Sequence, residues 1–334
     1  MMTFDDFKEY LKLNIKSFLP EEYREAEISF PKVKKNNNLE LDSILIRKTE
    51  DTVIPNLYIN ECYEDYREGV SLNHILKTLS EEYHNGMTQK LITKGTNLDI
   101  KKDEIVIQLV NREMNAEMLN DVPHKIQNNL AVIFRWIASK DENGLGTVLI
   151  NNSMMQQLGL NEEELYEVAK ENTLRLFPPK ICSMKEALMG FTDGYVPVEE
   201  FQIQEKDMDF PMYIISNESG VNGAAVILYQ DILDEVANKL KGNIYLLPSS
   251  IHEMIAVPVN ANMSVRELEN MVQGVNQDVV SQNEVLSNQV FMYDKESKCI
   301  INASEKVREA NLDFVKKFLK NSMETNNEEM EIEP

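Results

Sequence analysis

Apolar residues recur along the chain at two periods, and each marks a kind of element. Phe4, Phe7, Leu11, Ile15 and Phe18 follow helical spacing, so residues 3–18 read as an amphipathic helix closed by Pro20. Two β-like runs follow, Ala26–Lys35 and Leu39–Lys48. Between them stands Asn36-Asn37-Asn38, a good turn because asparagine tolerates left-handed backbone. Pro55–Tyr63 reads as a third strand. Ser71 then caps a helix carrying Ile75, Leu76 and Leu79 that ends near Gly86. The pattern predicts an N-terminal α-β-β-β-α unit over 1–95.

The pattern past residue 96 is more mixed. Ile105–Val110 reads as a strand, and a short helix is expected around Glu113–Leu119. Ala131–Ala138 and Thr147–Ile150 read as paired strands about the turn Asp141-Glu142-Asn143-Gly144. Asn161 and Glu164 form a capping box for a helix with Leu165, Val168 and Ala169 on one face, which Pro178 and Pro179 stop. Residues 185–209 are weakly patterned and read as an insertion or flexible connection. Met212–Ile215 and Ala224–Tyr229 read as strands around Asn222-Gly223. Asp231 is expected to cap a helix that Gly242 ends. Ser264 and Glu267 form a second capping box. Val290–Tyr293 and Lys298–Ile301 read as a hairpin. A terminal helix carries Leu312, Val315 and Leu319, and residues 321–334 read as a disordered acidic tail. The expected fold class is α+β: the N-terminal α-β-β-β-α unit, then a larger mixed α/β unit with antiparallel strands over 96–320.

Charge narrows the partners. The chain of 334 residues carries a formal net charge of −22. Residues 1–130 hold 17 Lys+Arg against 23 Asp+Glu, and the remainder holds 17 against 33, so the acidity lies mainly in the second part. Such a charge opposes nucleic acid and anionic lipid, whose phosphates call for clustered Lys and Arg. Cys62, Cys182 and Cys299 are odd in number and far apart, which argues against a disulfide framework or a zinc site and suits a reducing cytoplasm. The first residues lack the basic and apolar regions of a signal peptide, and no apolar run approaches the roughly 20 residues that span a bilayer.

The strongest local feature is Gly242–Val259, read as two short strands joined by a Pro-Ser-Ser corner. It brings Ser249, Ser250, His252 and Glu253 together in sequence, the residue types of a nucleophilic hydrolase. Strand alternation would put Ser250, His252 and Met254 on one face and turn Glu253 away, and no G-x-S-x-G elbow occurs. The alternative is a turn whose hydroxyls bond local backbone. No metal site is expected. His252-Glu253 lacks the second histidine of H-E-x-x-H, and His74, His84 and His124 are scattered. Glu27, Glu40, Asp42 and Glu61 could place carboxylates on a sheet as a metal-dependent nuclease does, or simply face solvent. Arg175, beside Asn172 and Phe177, could bind a carboxylate or phosphate, or serve as a cation at a helix C-terminus. Met154 and Met155 read as core filler. No Walker loop and no G-x-G-x-x-G occurs, and no cofactor is expected.

Several runs carry a family resemblance: VLINN at 148–152, EEELYEVAKENTLRLFPP at 162–179, MYIISN at 212–217, NGAAVILY at 222–229, YLLPSSIHE at 245–253 and EVLSNQVFMYD at 284–294, with PNLYINECY nearer the start. Together these resemble domain-of-unknown-function family 5688, from low-GC Gram-positive gut bacteria. The resemblance spans nearly the whole chain except the tail and implies no reaction. The expected function is a non-enzymatic binding or regulatory protein with a protein or small-molecule partner. A Ser/His/Glu hydrolase at 249–253 is the alternative, and a metal-dependent nuclease comes third, disfavoured by charge.

Overall fold

The computed structural model describes residues 1–48, 55–89, 100–141, 144–190, 194–207 and 211–313. The chain opens with helix α1 (Phe4–Asn14), capped by a box in which Thr3 and Asp6 exchange hydrogen bonds. A 3-10 turn (Ile15–Phe18) continues it towards Pro20. Strands β1 (Glu27–Ser29) and β2 (Lys32–Lys34) pair antiparallel with β3 (Glu40–Arg47) in one continuous register. They are separate strands because Pro31 has no N–H to give the ladder; its carbonyl still accepts from Ser43 N–H at 2.9 Å. The expected asparagine turn is there, with φ of 60° at Asn37 and 55° at Asn38.

The strand expected over Pro55–Tyr63 is corrected. Only β4 (Leu57–Tyr58) is extended, and helix α2 (Asn60–Arg67) takes the rest. The aromatic and apolar run that suggests a strand instead supplies one face of a helix. Helix α3 (Leu72–Gln89) follows, with His74 N–H donating to the Ser71 hydroxyl.

Strand β5 (Ile105–Asn111), helix α4 (Ala116–Leu119), and strands β6 (His124–Gln127), β7 (Leu130–Asp141) and β8 (Gly144–Leu149) come next. β7 is the central strand, pairing with β5, β6 and β8. The sequence pattern does not announce β6, which turns into β7 through Asn128 at φ 55°. Glu142 and Asn143 of the expected turn lie outside the described residues. Helix α5 (Asn152–Gln157) precedes α6 (Glu162–Leu176), whose Asn161/Glu164 box forms as expected.

Strand β9 (Pro179–Ser183), helix α7 (Met184–Leu188), strand β10 (Val196–Pro197) and strand β11 (Tyr213–Asn217) come next, so the weakly patterned segment contains regular structure. The strand expected at Ala224–Tyr229 is a correction: Gly223–Leu228 is a buried 3-10 helix. A short apolar run has no periodicity to separate a strand from a buried helical turn. Helix α8 (Gln230–Lys239) is preceded by Tyr229 rather than capped by Asp231, and the left-handed residue after it is Lys241, φ 61°, not Gly242. Strands β12 (Ile244–Ser250) and β13 (Glu253–Pro258), helix α9 (Val265–Asp278) with its Ser264/Glu267 box, strands β14 (Phe291–Asp294) and β15 (Cys299–Asn302), and a helix over 303–313 complete the described chain. The tail at 321–334 lies outside the described residues.

The fold is α+β, with antiparallel sheets. The largest has seven strands in the order β10-β9-β11-β13-β12-β14-β15. Contacts divide the chain into two compact units: Met1–Glu104 with Trp136–Val148, and Ile105–Arg135 with Leu149 onward. The first unit packs Phe7, Leu11, Ile15, Ile44, Ile46 and Leu79 into one core, and Tyr83 donates its hydroxyl to the Ile46 carbonyl at 2.8 Å. In the second, α9 lays Leu268 and Val272 against Leu247 and Val257 of the large sheet. Each buried aliphatic side chain of this kind contributes about 1.5–3 kcal/mol. Among the described residues, no helix is long and apolar enough to cross a membrane.

Candidate functional site

The β12–β13 hairpin is the place to test for chemistry. Its strands pair Leu247 with Ile255 and then, after a register shift, Ser250 with Glu253. The corner is therefore Ile251-His252, and Pro248–Ser250 belongs to the strand. This corrects the expected Pro-Ser-Ser corner. The bulge is what moves the turn, since one extra residue in a strand re-aims all that follow. His252 sits in the turn, so strand alternation does not set its direction.

The Ser250 hydroxyl accepts the backbone N–H of His252 at 3.0 Å, a local serine turn. The side chain of Ser249 lies outside the described part of the structure. The imidazole is engaged on both nitrogens. Nδ1 accepts the backbone N–H of Asn222 at 3.2 Å, and Nε2 lies 3.4 Å from Glu284 Oε1. An Nδ1 that accepts must be unprotonated, so the ring proton sits on Nε2, facing the carboxylate. The carboxylate that orients the ring is thus Glu284, not Glu253. The charge of Glu253 bears on Cys182 and Tyr195 instead. Burial, more than that charge, pushes the Cys182 thiol up to about 11 and raises the Tyr195 hydroxyl as well.

The rest of the corner is backbone carpentry. Ser216 donates its hydroxyl to the His252 carbonyl at 2.7 Å, Ala224 N–H donates to Ile251 O at 3.2 Å, and Ile251 N–H donates to Glu284 O at 2.9 Å. Gly223 fits where no other residue would, since a Cβ there would stand 2.3 Å from Ser216 Oγ and 2.4 Å from His252 O. A cavity of about 10 Å³, lined in part by Ser216, Asn222 and Gly223, adjoins the corner. It has room for one water molecule.

The remaining candidates are dispersed. Asp42 pairs with Lys8 and Glu40 with Lys32, while Glu61 stands on α2 rather than on a strand. His124 Nδ1 bonds the Val122 carbonyl at 3.0 Å. Among the described residues no group of three His, Cys, Asp or Glu is placed to hold a metal ion. Arg175 lies in the last turn of α6 and donates to Asn172 Oδ1 at 3.1 Å, while Asn172 donates to the Ile105 carbonyl at 3.0 Å.

Sequence reasoning did not find Glu284, Asn222, Ser216 or Gly223 at this corner. Only the Asn222-Gly223 dipeptide carries a local signal, that of a tight turn. A family model described as a family of unknown function matches residues 4–295. No curated protein matches the chain, and no solved structure does.

Proposed function

The chain belongs to that family of unknown function, DUF5688, and from this premise we propose that it is a binding or regulatory protein, with a protein or small-molecule partner, acting in the cytoplasm. The observation that carries the reading is the engagement of His252. A general base needs a free imidazole nitrogen facing the nucleophile's proton. Here Nδ1 is held by Asn222 N–H, Nε2 faces Glu284, and the Ser250 hydroxyl takes up the hairpin's own backbone. These groups shape a corner. The separated cysteines and the acidic charge favour a cytoplasmic protein that does not bind nucleic acid.

A serine-directed fluorophosphonate probe tests this. Intact-mass and peptide analysis are expected to find no adduct on Ser249 or Ser250. An adduct on either serine that disappears in His252→Gln would overturn the reading in favour of a hydrolase.

A further inference from the structure

The geometry points to a docking groove on the first unit for an arginine side chain presented by a protein partner. This deepens the binding reading and rests on it. Helices α1 and α2 meet through four rings. Phe4 and Tyr63 stand 4.9 Å apart between centroids, Phe7 and Tyr63 5.4 Å, and Phe7 and Tyr66 5.8 Å. Two hydrogen bonds fix the tyrosines: Tyr63 donates its hydroxyl to the Met2 carbonyl, and Met2 N–H donates to the Tyr66 hydroxyl, each at 2.9 Å. The rings are thus held before any ligand arrives, which lowers the ordering cost of binding.

Over Phe4 and Tyr63 lies a groove of about 620 Å³, walled by Asn60, Glu61, Glu64 and Asp65. That volume falls within the range of about 300–1,000 Å³ usual for ligand sites. The floor is aromatic and the rim is acidic. Glu61, Glu64 and Asp65 are spaced three and four apart, so α2 presents them on one face. Glu64 is bonded by Arg67 at 3.0 Å. Glu61 and Asp65 form no ion pair with a described residue. Like charges at this spacing repel one another along a helix, and a cation from outside would relieve that repulsion. Burial, then the charges of Glu82, Asp65 and Glu61, push the thiol of Cys62, the residue after Glu61 on this helix, up to about 11.

The same observations select the occupant. The Phe4 ring already faces a cation, since Lys8 Nζ lies 4.4 Å from its centroid, but Asp42 holds that ammonium. A rim of carboxylates over a ring floor suits a planar, forked cation that can stack and bond two oxygens at once. Guanidinium does this and ammonium does not. A protein segment carrying arginine complements the groove in charge and in shape.

The test uses the full chain and fluorescein-labelled peptides of alternating Arg and Gly, or Lys and Gly, read by anisotropy at physiological salt, where long-range attraction to the chain's net charge is screened beyond about 8 Å. The arginine peptide is expected to bind more tightly than the lysine peptide. E61Q/D65N is expected to weaken it about tenfold or more, a loss of about 1.4 kcal/mol. Phe4→Leu, which keeps an apolar floor but removes the ring face, should weaken it too. E199Q/E200Q, an exposed acidic pair in the second unit, should leave affinity unchanged, and thermal melts establish that each variant folds. Absence of binding, equal affinity for the two peptides, or equal losses in the two acidic variants overturns the groove. Such a failure leaves the binding reading standing, because only the His252-dependent adduct described above fells that.

Discussion

The backbone N–H of Asn222 points at His252 Nδ1 from 3.2 Å, across thirty positions of sequence. This bond makes the imidazole an acceptor for the backbone at the head of the buried 3-10 helix. It ties the β12–β13 corner to the Gly223–Leu228 segment, Ala224 N–H reinforces the tie at the Ile251 carbonyl, and Ser216 joins β11 to the same corner. Replacing His252 removes the acceptor and leaves a half-buried N–H without it. A stranded donor of this kind costs about 1–3 kcal/mol. His252→Ala is therefore expected to lower unfolding free energy by about that amount in urea titrations. Glu284→Gln, which keeps a neutral acceptor near Nε2, should cost less. Equal stability of His252→Ala and the parent protein would refute the structural role.

Gly223 is the tightest point of the same corner. A methyl group there would overlap Ser216 Oγ and the His252 carbonyl. The serine could rotate away, but the carbonyl is backbone and cannot. Gly223→Ala should cost about 1–3 kcal/mol as overpacking does. Adding Ser216→Ala should restore only a small part. Full rescue by Ser216→Ala would mean that the carbonyl contact does not matter.

The three cysteines should separate cleanly by reactivity. Cys299 is exposed, Cys62 half-buried and Cys182 buried. Burial raises the Cys62 and Cys182 thiols to about 11, so at pH 8 roughly a thousandth of each is thiolate. Labelling by a maleimide or an aromatic disulfide should therefore modify Cys299 first, Cys62 slowly and Cys182 only on unfolding. Peptide mapping of partly labelled protein reads the order. Early modification of Cys182 would show that the large sheet opens more readily than its packing implies.

The sequence carries the fold unevenly, and the reasons are physical. Helices with a capping residue and an apolar stripe, such as α6 from Asn161 and α9 from Ser264, are readable because both signals are local. The aromatic run that becomes α2 and the apolar run at 224–229 are misread as strands, since β-rich composition and short length leave the period undetermined. The candidate corner is legible only as a hairpin. Its turn is displaced by a bulge, and the partners of His252 come from two distant segments, so no local pattern reveals Asn222 or Glu284. The groove over Phe4 and Tyr63 is hidden for the same reason, because it requires α1 and α2 to meet.

A last expectation concerns acid. Asp234 on α8 accepts the Tyr293 hydroxyl at 2.6 Å and the Lys298 ammonium, tying that helix to the β14–β15 hairpin. The hydrogen bond from Lys298, then that from Tyr293, holds the Asp234 carboxyl below its ordinary value of 3.8. A carboxyl whose pKa is lower folded than unfolded binds fewer protons in the native state. Its stabilising contribution is complete above about pH 4 and is lost as pH falls through the folded value. Lys298 moves the other way, raised chiefly by its bond to Asp234, so its share is complete below its ordinary value of 10.5 and fades as pH rises past it. Asp234→Asn removes both dependences at once. Thermal melts from pH 3 to pH 7 should show a shallower loss of stability on the acid side for the variant than for the parent protein. Superimposable acid limbs would show that the Asp234 carboxylate is not held by Tyr293 and Lys298 in solution.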